Sequence, residues 1–214
     1  MKRENVLAGL CLALVGAVSL AGCNTGRGYQ KADSATGQME ALKTELLAVK
    51  QRTEKIVPAL NQLVATAGSN PRSAYERFSR EFQNTRKHSG KARHLADEVR
   101  KQGQAYFHEW EAQSGKVANP DIKERFEQRR AQLAAQYEKL EEYAQRLEED
   151  YTAFMQDLND IQLVLGVDLT LKGIESVTDL VNKATHDAQA IDGHLKRYVS
   201  IVEQVAAELG PSRK

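Results

Sequence analysis

From Leu133 to Leu165, apolar or aromatic residues recur at Leu133, Tyr137, Leu140, Ala144, Leu147, Tyr151, Phe154, Leu158, Ile161 and Leu165, in steps that alternate four and three. This is a heptad seam, the signature of a long helix buried along one stripe against other helices. Three more seams accompany it. The first runs through Met39, Leu42, Leu46, Val49, Thr53, Ile56, Leu60, Leu63 and Ala67. The second runs through Phe78, Phe82, Thr85, Ser89, Ala92, Ala96, Val99, Gly103, Tyr106 and Trp110. The last runs through Ile174, Val177, Val181, Ala184, Ala188, Ile191, Leu195, Tyr198, Val202, Val205 and Leu209. Period-two alternation, which a sheet would need, is absent.

Start and stop residues divide these seams into four helices. The first is expected over about Ser34 to Ala67, with Pro58 kinking or breaking it and Gly68 stopping it. Asn70-Pro71 and Asn119-Pro120 each combine an N-cap with a proline at the first helical position, and so open the second and third helices. Gly166 is expected as the C-cap of the third, Asp168 or Thr170 as the opening of the fourth, and Gly210-Pro211 as its end. Short connections make neighbours antiparallel. The predicted fold is all-α: an elongated up-down four-helix bundle, about 70 Å long, with coiled-coil-like packing. The small residues in the middle of the second seam are expected to let a neighbouring helix approach closely, with bulky residues facing them.

Charge adds a register argument. The second helix carries ten basic and six acidic residues, the third six basic and eleven acidic. An antiparallel fold at residues 117–119 sets Arg86, Lys87, Lys91 and Arg93 beside Glu148, Glu149 and Asp150. Such exposed pairs contribute only about 0–1 kcal/mol each, but they discriminate against slipped registers. The other reading of the basic block is a surface for anionic lipid or polysaccharide. A net charge of +1 does not favour nucleic acid as a partner. The same fold gathers the N-terminus of the bundle, the turn at 117–119 and the C-terminus at one end. Tyr106, Phe107 and Trp110, with Ile122 and Phe126 opposite, then lie at that end. They read as end-of-bundle core, with Phe107 off the seam and a candidate for touching lipid headgroups.

The N-terminus reads as an address. Lys2 and Arg3 precede an apolar run from Val6 to Leu20, the length of a secretory signal core and short for a transmembrane helix. The run ends in Leu20-Ala21-Gly22-Cys23, which resembles a bacterial lipobox. That resemblance implies removal of residues 1–22 and acylation of Cys23, which would hold the chain in the bilayer. Asn24, rather than Asp, after the cysteine implies an outer-membrane anchor facing the periplasm. Residues 23–37 read as a lipidated tether, with helix able to start near Asp33, residues 38–210 as the bundle, and 211–214 as a tail. Cys11 and Cys23 both fall in the N-terminal segment, which leaves no cysteine framework for the rest.

No catalytic, metal or cofactor motif accompanies this architecture. The residues three before the five histidines are Thr85, Lys91, Ala105, Lys183 and Ile191, so the Glu-x-x-His pairs of bundle di-iron sites are missing. Gly103 reads as a close-packing position. Arg130 interrupts the third seam and is expected to snorkel or to pair with Glu109 or Glu111. Thr53, Thr85 and Ser89 are expected to bond their own helix carbonyls. Tyr75, Leu95, Phe107 and Leu163 form a stripe beyond the seams, suited to a second copy or to a wider core. The expectation is a non-enzymatic structural or adaptor lipoprotein, its partner an envelope protein or itself, with a lipid-contact module on the basic second-helix face as the alternative.

Gln104-Ala105-Tyr106-Phe107-His108-Glu109-Trp110-Glu111, Asn119-Pro120, Leu165-Gly166-Val167-Asp168-Leu169-Thr170 and Gly173-Ile174 resemble an uncharacterised bacterial family, domain of unknown function 2959. The likeness covers roughly residues 73–209. It implies a bacterial origin and a helical fold, and it transfers no functional residue.

Overall fold

A computed structural model describes residues 27–210, and every element among them is a helix. Four helices follow one another: α1 Arg27–Ala65, α2 Arg72–Ser114, α3 Pro120–Val167 and α4 Leu171–Leu209. α1 packs on α2 and α4, and α3 packs on α4 and α2, so α1 and α3 face each other across the diagonal. Cross-helix bonds from α2 to α3 confirm the antiparallel course: Arg93 meets Glu148 and Tyr75 meets Gln162. At about 1.5 Å per residue, the 48 residues of α3 make a rod of about 70 Å.

The seams are the core. All eleven seam residues of α4 are buried, as are nine of the ten in α3, Ala144 being half-buried. In α1 the seam from Met39 to Leu63 is buried throughout. Each fully buried Leu, Ile or Phe contributes about 1.5–3 kcal/mol of hydrophobic free energy, and this burial holds helices that charged faces alone would not. Thr53 and Thr85 donate to the carbonyls of Val49 and Glu81 at 3.1 and 2.7 Å, and Ser89 to that of Arg86 at 3.0 Å. Their hydroxyls are therefore satisfied inside their own helices, as anticipated.

The boundaries differ in informative places. α1 begins at Arg27, not near Ser34, so residues 27–37 are helical where a flexible tether was expected. The reason is burial: Ala32 and Ala35 continue the seam backward from Met39 in the same steps and are 7 % and 0 % exposed. The helix also runs unbroken through Pro58. Pro58 points to solvent between buried Ile56 and Ala59, and Glu54, whose carbonyl loses its partner, is exposed to water.

α3 continues through Gly166 to Val167, and Asp168 rather than Gly166 is its C-cap. α4 opens at Thr170, whose hydroxyl accepts from the Gly173 amide at 3.2 Å. The Asp168 carboxylate in turn accepts from the Thr170 amide and hydroxyl at 3.1 and 2.7 Å. A Cβ at Gly173 would overlap the Asp168 carbonyl, so the tight turn requires glycine there. At the start of α3, Asn119 caps the Ile122 amide at 3.1 Å with Pro120 at the first position, as expected. At the start of α2 the Asn70 side chain accepts from Arg72 at 3.4 Å, one residue before the assigned cap, Pro71.

Candidate functional site

The aromatic group at one end is half-buried and packs against the core. Trp110 packs on Phe126 with ring centres 4.9 Å apart, and Phe107 meets the buried Tyr137 edge-on at 5.1 Å. Phe107 is thus half-buried against α3, its ring edge-on to that of Tyr137. Ile122 does not join the cluster: it is 58 % exposed. A Cβ at Gly103 would overlap the Tyr137 ring, which explains the glycine on this seam as close packing. Lys31 reaches Glu109 at 3.3 Å and Arg129 reaches Glu208 at 3.0 Å, so the starts of α1 and α3 and the ends of α2 and α4 share one end of the rod.

Arg130 bonds Glu127 at 2.8 Å, one turn away on its own helix, rather than Glu109 or Glu111. Glu109 is engaged by Lys31 and Gln113 instead, and Glu127 also takes the Ser114 hydroxyl. Of the basic block, Arg93 meets Glu148 at 3.0 Å. Asp150 turns to His194 of α4 at 2.8 Å, and Glu149 accepts from Gln145. Arg86, Lys87 and Lys91 are exposed, with no ion pair among the described residues. Lys91 lies level with Asp150, but Asp150 bonds α4 and Lys91 is exposed to solvent, so among the described residues only one of the expected bridges forms. In the stripe beyond the seams, Tyr75 donates to the Gln162 carbonyl at 3.2 Å, and Tyr75, Leu95 and Phe107 are half-buried against the core. Leu163 stays 62 % exposed. With Val164, Val167 and Leu171 it forms an apolar patch at the other end of the rod.

The periodicity of the seams does not reveal the gap between α2 and α3. The α2–α3 seam is closed by the aromatic contacts above at one end, is bridged by the Tyr75–Gln162 bond at the other, and is open in its middle. Here Ser89, Ala92 and Ala96 on α2 face a stretch of α3 that includes Ala144, and a cleft of about 560 Å³ lies between them. Bulky residues surround the gap, yet α3 does not close in. Tyr137 and Tyr151 bracket Ala144 by one heptad on either side, and the gap lies between them. Leu46, Leu140, Leu147 and Leu195 make an apolar floor, to which all four helices contribute with Val99 of α2. Tyr137, Tyr151 and Tyr198 add three phenols. Burial pushes the Tyr151 hydroxyl up to about 12, against a weaker opposing effect of the hydrogen bond it shares with Thr53. Burial raises those of Tyr137 and Tyr198 as well, with the negative charge of Glu141 adding to the effect. All three are neutral donors at physiological pH. The Tyr137 hydroxyl is buried without a hydrogen-bond partner. The signal was present in the sequence, small residues facing small across two seams, but it does not say whether the helices close or stay apart.

Leu20, Ala21, Gly22 and Cys23, with the rest of residues 1–26 and the tail 211–214, lie outside the described residues. No helix among the described residues is long and apolar enough to cross a membrane.

Residues 24–209 match the model of a family described as a protein of unknown function, DUF2959. The chain belongs to this family. The match spans the whole bundle, including the Asp168–Gly173 turn and the Gly103–Tyr137 contact, so the family motifs noted in the sequence sit where the structure uses them for packing and turning. No curated protein and no solved structure matches the chain.

Proposed function

We propose that this member of DUF2959 is a lipid-anchored helical rod of the bacterial envelope, facing the periplasm from the outer membrane, that works as a non-enzymatic structural adaptor. The observation that carries the reading is the junction of two features: the lipobox-like Leu20-Ala21-Gly22-Cys23 and a helix that starts only four residues after the cysteine, at Arg27. The family match beginning at residue 24, next to that cysteine, supports the same division of the chain. Acyl chains on Cys23 would hold the bundle close to the bilayer, each buried methylene contributing about 0.8 kcal/mol. The opposite end then carries the exposed Leu163, Val164, Val167 and Leu171 away from the membrane, where an envelope protein, or a second copy, would meet them.

The test is photocrosslinking in cells with a reactive residue at Val167, and at Arg86, Lys91 and Arg100 along α2. A single envelope protein captured at Val167 is the expected result. Capture of no protein from any position overturns the adaptor reading. Labelling with radioactive palmitate, lost in Cys23→Ala, tests the anchor separately.

A second reading is favoured by Arg86, Lys87 and Lys91, exposed and without ion pairs among the described residues. They would bind anionic lipid headgroups, and this predicts vesicle binding that weakens as salt rises. Crosslinks from Arg86 and Lys91 to lipid alone would move the assignment to a membrane-surface module.

A further inference from the structure

We infer that the α2–α3 cleft is a binding site for a single-chain amphiphile, with an apolar tail and an ammonium-type cationic head. Its volume of about 560 Å³ falls within the range of natural ligand pockets, about 300–1,000 Å³. It extends along α2 from Ser89 to Arg100, about 16 Å of helix, which suits an extended chain rather than a compact ring system. The floor is aliphatic and aromatic and drawn from all four helices.

The chemistry of the mouth selects the head. Seven charged residues line it, two basic and five acidic. Arg93 is taken by Glu148 at 3.0 Å and Arg100 by Asp97 at 2.8 Å. That leaves Glu138, Glu141 and Glu142, three successive exposed carboxylates on α3 with no ion-pair partner among the described residues. An anionic head would face this charge unscreened, whereas a cation would complete it. The independent pointer is Tyr137. It is 5 % exposed, it lines the cleft, and its hydroxyl has no hydrogen-bond partner. An orphaned buried hydroxyl costs about 1–3 kcal/mol, and an ammonium proton donated to a lone pair of its oxygen offsets part of that cost. Apolar chain, cation and hydrogen-bond donor thus converge on one ligand class. The site is independent of the lipid anchor and of the exposed far end.

The test uses the intact protein isolated from cells. A photoactivatable long-chain primary amine and the carboxylate of equal chain length are each added, and labelled peptides are mapped by mass spectrometry. The amine is expected to label Ala92–Val99 and Leu140–Leu147 about tenfold more than the carboxylate does. Ala144→Phe fills the cleft and abolishes that labelling without lowering the melting temperature. The triple variant Glu138→Gln, Glu141→Gln, Glu142→Gln changes only exposed side chains, so it keeps the fold and brings the two probes level. Labelling spread over the rod, equal labelling by both probes, or an amine preference untouched by the triple variant overturns the assignment.

Discussion

The α2–α3 seam has two regimes. Toward the far end, α2 presents Phe78 and Phe82, stacked at 6.2 Å and 0–1 % exposed, and α3 presents Phe154, Leu158, Ile161 and Leu165, all buried. In the middle, the same heptad positions carry Ser89, Ala92 and Ala96 opposite Ala144, and a cleft opens. The heptad register is identical in both. What differs is volume: two helices meet where their facing side chains fill the space between them, and stay apart where small faces small between larger neighbours. A seam therefore specifies direction and register, and side-chain size decides contact.

The largest break in this contrast is Phe154→Ala. Phe154 is fully buried and packs on Tyr151 at 5.8 Å. Its truncation is expected to cost about 3–5 kcal/mol in urea unfolding, because the well-packed half cannot collapse into the void. A loss under about 1 kcal/mol would mean that the far half is as loose as the middle. Next come the two close approaches. Gly103→Ala drives a Cβ into the Tyr137 ring and Gly173→Ala drives one into the Asp168 backbone. Each is expected to cost about 1–3 kcal/mol. The Gly103 variant should recover partly when Tyr137 is also made smaller, since a side chain can yield. The Gly173 variant should not recover in that background.

The opposite sign is expected in the cleft. Ala96→Leu adds apolar volume where space already exists and should stabilise by about 0.5–2 kcal/mol, read as a higher melting temperature. The same change at buried Ala184, 0 % exposed, should destabilise. The smallest effect concerns pH at the α3–α4 turn. Bonds from the Thr170 hydroxyl and amide hold the Asp168 carboxyl below its ordinary value. A depressed folded-state pKa contributes stability that is present above the unfolded value, about 3.9, and is lost as pH falls through the folded one. Asp168→Ala should lower the melting temperature at neutral pH and leave it closer to wild type under strong acid.

Much of this was legible in the residues. The alternation of three and four at Leu133–Leu165 suffices to name a helix, and the caps at Asn119 and Thr170 locate two starts because a side-chain acceptor satisfies the free amides there. The start of α1 was misplaced, since Ala32 and Ala35 are weakly apolar and read as part of a polar stretch until a neighbouring helix covers them. Pro58 could not be resolved from sequence, because whether a missing hydrogen bond breaks a helix depends on the packing around it.

The chain by itself determined four helices, their order, their antiparallel course and the buried stripe of each, because these follow from periodicity, caps and short connections. The tertiary structure alone decided which charges pair, where Phe107 points and that a cleft lies in the middle of one seam. Those depend on the distance between helices, which is set jointly by side chains from all four, and no single stretch of sequence carries a joint volume.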